Sequence, residues 1–287
     1  MTNTEMKAHV QQGKFSFRPS TDRPNQDSIG VSSENLSTGQ AVHLFVIADG
    51  MGGHELGDAA SYFAVDYVLK WWRSMVWMNE KPADFLPACK AQIIDLFAEI
   101  NTQLMEIGRR EQKDIGTTLS VLMVVDDQYF ICHIGDTRIY RYRAQITDLE
   151  EPNGDTIDLN KEKRFVQLSV DHSFASMQVE KGLMTTEEAK SHDKAHYLTQ
   201  CMGIKGDVKP YTASGTFTNV DYFLLCTDGF HGLFTEEELS QQWTAQLEKK
   251  QTLEAITDHF YHVAKDDKHP TDDVSILTVH METRTEG

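Results

Sequence analysis

Three times along this chain an apolar run ends on an aspartate beside a glycine. The runs are Val46-Ile47-Ala48-Asp49-Gly50, Cys132-His133-Ile134-Gly135-Asp136 and Leu224-Leu225-Cys226-Thr227-Asp228-Gly229. A further acidic pair, Asp272-Asp273, comes directly before the alternating stretch 274–279. Short apolar runs of this kind read as buried strands, with the Asp-Gly pairs as turns at their ends. Strand ends gathered at one rim of a sheet bring their carboxylates together, where like charges repel unless protons or cations offset them. Hard divalent ions such as Mg²⁺ and Mn²⁺ prefer oxygen ligands and suit an all-carboxylate set. A neighbouring glycine leaves its carbonyl accessible as one more oxygen ligand. Each Asp-Gly taken singly is also a common turn dipeptide, chosen for conformation alone. Recurrence beside several strands is what points to a metal site. The 12 histidines form no His-x-x-x-His or His-x-x-Glu-His pattern, so zinc is not expected.

The rest of the chain sorts into blocks. Residues 59–77 carry Tyr62, Val65, Val68, Leu69 and Trp72 at helical spacing. Pro82 starts a second helix with Phe85, Leu86, Ile93, Leu96, Phe97, Ile100 and Leu104. Strands are expected at 117–125, 129–134 and 139–143, with 126–128 and 135–138 as hairpin connections. A strand at 164–168 follows a polar, exposed loop at 150–163. Residues 171–194 are polar and partly helical, and read as a mobile surface subdomain. Segments 213–217 and 221–226 resemble a second hairpin, before helices at 235–247 and 253–264 and a last strand at 274–280. Strands and helices in separate blocks favour an α+β fold over a doubly wound parallel sheet. No repeat or low-complexity linker divides the 287 residues, so a single domain spanning 1–287 is expected.

The formal net charge is −17, from 44 acidic against 27 basic residues. That balance argues against binding polyanions, whether nucleic acid or an anionic membrane surface, and fits a protein that concentrates divalent cations. Cys89, Cys132, Cys201 and Cys226 show no metal-knuckle spacing and read as reduced core residues of a cytoplasmic protein. Residues 1–17 hold no apolar run of signal-peptide type, and no stretch reaches the roughly 20 residues of a membrane span.

At these residues the sequence resembles the metal-dependent protein phosphatase family, the type-2C serine/threonine phosphatases, in its bacterial form. Asn25-Gln26-Asp27 is similar to the family's first acidic motif, and Asp49-Gly50-Met51-Gly52-Gly53-His54 to its Asp-Gly-Met-Gly-Gly-His signature. Gly116-Thr117-Thr118, Gly135-Asp136-Thr137-Arg138, Asp171-His172-Ser173, Leu198-Thr199-Gln200-Cys201-Met202-Gly203, Thr227-Asp228-Gly229 and Asp272-Asp273-Val274-Ser275 resemble its later motifs, in the correct order. The resemblance implies two packed antiparallel β-sheets flanked by helices, with a metal site at one end of the sandwich. It implies two Mn²⁺ or Mg²⁺ ions and a third held more weakly. Asp49 would bridge two ions and the Gly50 carbonyl would bind one of them. Asp228 and Asp272 would hold the first ion, Asp136 the third, and Asp27 would orient water. The implied reaction is hydrolysis of phosphoserine and phosphothreonine in proteins by an activated water, opposing a serine/threonine kinase, with a flap near 171–194.

Four departures mark this chain. The family's phosphate-binding arginine lies five residues before the first-motif aspartate, where Asp22 stands here; Arg23 is the nearest substitute and Arg18 another. Gln26 stands where many relatives carry glutamate. Met51 stands where animal-type relatives carry the histidine that protonates the leaving group, leaving His54 as the candidate acid or as a helix-entry residue. Asp273 stands in place of the usual asparagine, so its charge either tightens metal binding or is neutralised locally. A catalytically weak phosphoprotein-binding module of the same fold is the alternative function. A phosphodiesterase or nuclease is disfavoured by the lack of a basic stripe.

Overall fold

In the computed structural model the described residues are 7–20, 24–51, 56–78, 82–144, 164–204 and 206–284. The chain opens with β1 (Lys7–Phe17), β2 (Asp27–Asn35) and β3 (Ala41–Met51), then α1 (Gly57–Met78) and α2 (Pro82–Glu111). A run of strands follows: β4 (Gly116–Thr117), β5 (Leu119–Val125), β6 (Gln128–Ile134), β7 (Arg138–Arg143) and β8 (Phe165–Gln167). After α3 (Phe174–Glu180) and α4 (Thr186–Lys190) come β9 (Tyr211–Thr216), β10 (Asp221–Cys226), α5 (Asp228–His231), α6 (Glu236–Glu248), α7 (Leu253–His262) and β11 (Val274–Arg284). One sheet has the order β1-β11-β10-β7-β8; the other has β2-β3-β5-β6-β9, with β4 paired to the end of β3. Every pairing is antiparallel. The expected α+β sandwich of two antiparallel sheets between helices is what the chain adopts.

Alternation along β3 explains the layering. Val42, Leu44, Val46 and Ala48 pack with Trp72, Phe85 and Phe97 of α1 and α2. Phe45 and Ile47 point the other way, into the seam between the sheets, against Leu122, Ile131, Phe223, Leu225, Leu277 and Val279. On the far side Leu224 and Ile276 lie with Trp243 and Phe260 of α6 and α7. Antiparallel strands usually alternate apolar and polar, but a sheet covered on both faces reads as a continuous apolar run. The strand β5 is buried at all of its positions for this reason. Helix starts follow local chemistry: Thr235 and Thr185 each form a capping box, with Glu238 and Glu188 respectively.

Several boundaries differ from the sequence expectations. Residues 135–138 do not close a hairpin: β6 pairs with β5 and β9, whereas β7 lies in the other sheet beside β10 and β8. Likewise β9 and β10 sit in different sheets, so their connection is a crossing and not a hairpin turn. The strand β3 does not stop at Asp49, because Gly50 and Met51 continue the ladder onto Thr117 and Gly116. The helix expected at 253–264 gives way after His262 to a π turn at Val263–Asp267. The strands β1 and β2 were not expected. The 150–163 loop lies outside the described residues.

The 171–194 segment holds α3, which has no buried residue, and α4. Leu183 and Tyr197 are 67% and 64% exposed around it. No helix among the described residues is long and apolar enough to cross a membrane. All four cysteines are buried and unbridged.

Candidate active site

Asp27 and Asp49 are direct cross-strand partners, one opening β2 and the other near the end of β3. The backbone of Asp49 is pinned from the Gly-Thr-Thr motif. Its N–H donates to Thr118 Oγ1 at 2.8 Å, and its carbonyl accepts from Thr117 Oγ1 at 2.9 Å and Thr118 N–H at 2.8 Å. Gly50 N–H donates to the Gln26 carbonyl at 2.9 Å. A Cβ on Gly50 would lie 1.8 Å from the Gly57 carbonyl oxygen, so only glycine lets the start of α1 approach.

The second sheet contributes Asp228 and Asp272. Thr227, just past β10, donates from Oγ1 to Asp27 Oδ2 at 3.0 Å and accepts from Ser275 N–H at 3.1 Å. Asp228 then opens α5, held close because Gly229 leaves room for the Asp273 carbonyl, 1.9 Å from where a Cβ would stand. Asp272 Oδ1 accepts from Asp273 N–H at 2.8 Å. Asp136 lies on the crossing from β6 to β7, its carbonyl accepting from His231 Nε2 at 3.0 Å. The acids therefore come from the facing ends of both sheets, not from one sheet's rim.

Their electrostatics are those of crowded carboxylates. Burial pushes Asp27 up to about 7; hydrogen bonds from Ser275 and Thr227 pull it back, and the charges of Asp273 and Asp228 raise it. Desolvation, with the charges of Asp27 and Asp228, holds Asp49 well above the usual carboxylate range. Burial and the charge of Asp228 push Asp136 up to about 8. Asp228 is raised by burial, against the lowering effect of its hydrogen bond with Asp49.

Two features test whether cations fit here. Asp49 and Asp228 lie close enough that each shifts the other's proton affinity, Asp49 upward and Asp228 downward. The Oδ1 atoms of Asp27 and Asp228 are buried with no hydrogen-bond partner among the described residues. Carboxylate oxygens kept from these donors and crowded by like charge suit a hard cation, which offsets the repulsion. Among the described residues no three His, Cys, Asp or Glu side chains already stand at the spacing of a finished metal site.

The protein phosphatase 2C family model matches residues 18–268. The chain belongs to the protein phosphatase 2C family. It is 29% identical over 214 residues to protein phosphatase PhpP of Streptococcus pneumoniae, covering 73% of this phosphatase and 77% of PhpP. It is 26% identical over 266 residues to serine/threonine phosphatase stp of Listeria monocytogenes, covering 92% of each. The S. agalactiae serine/threonine phosphatase superposes with a TM-score of 0.75 at 23% identity, covering 96% of this chain and 100% of that one. The catalytic domain of the phosphatase PstP, solved in complex with two manganese ions, superposes at 0.69 with 21% identity, covering 96% and 99%.

The structure of this phosphatase thus groups Asp27, Asp49, Gly50, Asp136, Asp228 and Asp272 at one end of the sandwich. Arg23 and His54 lie outside the described residues. Arg18 does not point to a free phosphate role: its Nη1 donates to Asp273 Oδ1 at 3.1 Å and to the Pro24 carbonyl at 3.2 Å. Sequence reading passed over the brace behind Asp136. Gly135 and His172 exchange hydrogen bonds of 2.7 and 3.1 Å, and Arg138 Nη2 donates to Asp171 Oδ2 at 2.7 Å. The sequence signal was the Asp-His-Ser motif itself, whose first two residues tie the base of the 171–194 segment to the Asp136 turn.

Proposed function

We propose that this protein phosphatase hydrolyses phosphoserine and phosphothreonine in protein substrates with two divalent cations, Mn²⁺ or Mg²⁺, and a third held more weakly. The observation that supports the reading is the convergence of Asp49, Asp228 and Asp27 from two different sheets, with buried carboxylate oxygens that no donor among the described residues satisfies. Asp49 would hold both ions of the pair and the Gly50 carbonyl one of them, Asp228 and Asp272 the first, and Asp136 with Asp228 the third. When bound, such ions lower the pKa of water to about 7 and offset charge on a phosphoryl group.

The chain's own residues supply positioning and proton handling. Thr227 fixes Asp27 through Oδ2, leaving Oδ1 as the atom that accepts a hydrogen bond or proton from the attacking water. Arg23 would anchor the phosphate and His54 would protonate the departing serine or threonine oxygen. Thiol catalysis is disfavoured, because burial pushes the Cys89 thiol up to about 12 and the Cys201 thiol up to about 11. The 171–194 segment, as a flap over one domain spanning the chain, would choose among substrates, since loops beside a rigid site carry specificity. A cytoplasmic location and an opposing serine/threonine kinase fit the buried, unbridged cysteines and the reaction. The complete set of aspartates speaks against a catalytically weak binding module.

The test is hydrolysis of p-nitrophenyl phosphate and of phosphoserine, phosphothreonine and phosphotyrosine peptides with Mn²⁺, with and without EDTA. Chelator-sensitive turnover that prefers phosphoserine or phosphothreonine supports the proposal. Robust turnover indifferent to chelation overturns it.

A further inference from the structure

Asp273 is 3% exposed and carries a charge where the family pattern has a neutral asparagine. Its carboxylate accepts from Arg18 Nη1 at 3.1 and 3.3 Å and from Gln26 N–H at 2.9 Å. Arg18 follows the end of β1, and Gln26 immediately precedes Asp27. The same Arg18 Nη1 also donates to the Pro24 carbonyl at 3.2 Å, so the guanidinium holds Pro24 as well as Asp273. Asp273 N–H in turn donates to Asp272 Oδ1 at 2.8 Å, and its carbonyl is the group that Gly229 must make room for. One residue therefore touches all three segments that bring Asp27, Asp228 and Asp272 together.

We propose that Arg18 and Asp273 form a charge-matched clasp that positions Asp27 against Asp272, each being a positioning residue and not a phosphate or metal ligand. An asparagine at 273 could still accept from Gln26 N–H, but it would offer no charge to Arg18. The charge of Asp273, as distinct from its hydrogen bond with Gln26, is therefore tied to Arg18. The ion pair is largely shielded from water, with side-chain exposures of 13% and 3%. In such a site, removing one partner strands the other and costs more than removing both.

The clasp is tested in the full chain with Arg18→Gln, Asp273→Asn and the double variant. Readouts are thermal melting, Mn²⁺ affinity by calorimetry, and kcat and KM for p-nitrophenyl phosphate. Arg18→Gln is expected to lower the melting temperature by several degrees and kcat about ten-fold, with KM within about two-fold of the parent. Adding Asp273→Asn is expected to recover most of the lost melting temperature and part of the lost kcat. A rise in KM at constant kcat would make Arg18 a phosphate anchor and overturn the clasp. So would a double variant no better than Arg18→Gln, or a Mn²⁺ affinity ten-fold weaker in Asp273→Asn than in Arg18→Gln, the mark of a direct ligand. The kinetic arm rests on the phosphatase reading. If the parent protein failed to turn over substrate, that reading would fall, while recovery of the melting temperature would still decide the clasp.

Discussion

Thr227 Oγ1 and Asp27 Oδ2 lie 3.0 Å apart and join the two sheets at the site, Thr227 following β10 and Asp27 opening β2. Both residues are buried, and the same hydroxyl accepts from Ser275 N–H. Thr227→Val keeps the shape and removes both bonds. It is expected to cost about 1–3 kcal/mol in denaturant unfolding, the usual penalty for a stranded buried polar group. Because the Thr227 bond lowers the Asp27 pKa, its loss is expected to move the acid limb of the kcat profile to higher pH. An unmoved limb would separate Asp27 from the proton chemistry.

Asp228→Asn removes one charge from the buried acidic group that includes Asp49. Activity is expected to fall about 100-fold or more, as for loss of a metal-holding group. The metal-free variant should melt no lower than the parent, since like-charge crowding is relieved. The rise in melting temperature on adding Mn²⁺ should largely vanish. Near-normal turnover would remove Asp228 from the site.

Gly50→Ala and Gly229→Ala place a methyl 1.8 and 1.9 Å from the carbonyl oxygens of Gly57 and Asp273. Backbone must move in both cases, so each is expected to cost about 3 kcal/mol or more in unfolding free energy. A stability change below about 1 kcal/mol would show that these approaches are not tight.

Asp49, Asp136 and Asp228 were legible as site candidates because each sits beside a run apolar on both faces, the pattern of a strand covered on both sides. The sheet switches were not legible. Gly135-Asp136-Thr137-Arg138 has the length of a hairpin turn, and nothing in its spacing says that β7 joins β10 and not β6. The strands β1 and β2 hid for another reason: each pairs on one side only, at the edge of its sheet, and Gln11-Gln12-Gly13 and Ser32-Ser33-Glu34 dilute their alternation. Arg18 was weighed as a phosphate ligand because residue type reveals charge but not partner. Its partner, Asp273, is 255 positions away.

Two sets of buried groups give the metal-free protein opposite pH slopes. A carboxyl whose folded pKa is raised holds its proton more tightly when folded, so its contribution is present at low pH and lost as pH rises. Asp27 at about 7 and Asp136 at about 8 place that loss between about 4 and 8. Buried neutral histidines act the other way: His43 at about 4, and His133 and His231 at about 3, stabilise fully above 6.5 and lose that as pH falls. Above 6.5 only the carboxyls contribute. EDTA-treated protein is therefore expected to lose stability from about pH 6.5 to 8, by up to about 1.4 kcal/mol per pH unit for each carboxyl. Excess Mn²⁺ should flatten that slope, because cations replace the protons. Melting curves across this span, with a rising or flat metal-free trend, would contradict the crowding of these acids.

The most direct measurement is anomalous diffraction at the manganese edge from crystals soaked in Mn²⁺. We expect two strong peaks sharing Asp49, with the Gly50 carbonyl on one and Asp228 and Asp272 on the other. An unoccupied site at saturating Mn²⁺, or manganese bound away from these carboxylates, would contradict a catalytic metal centre here.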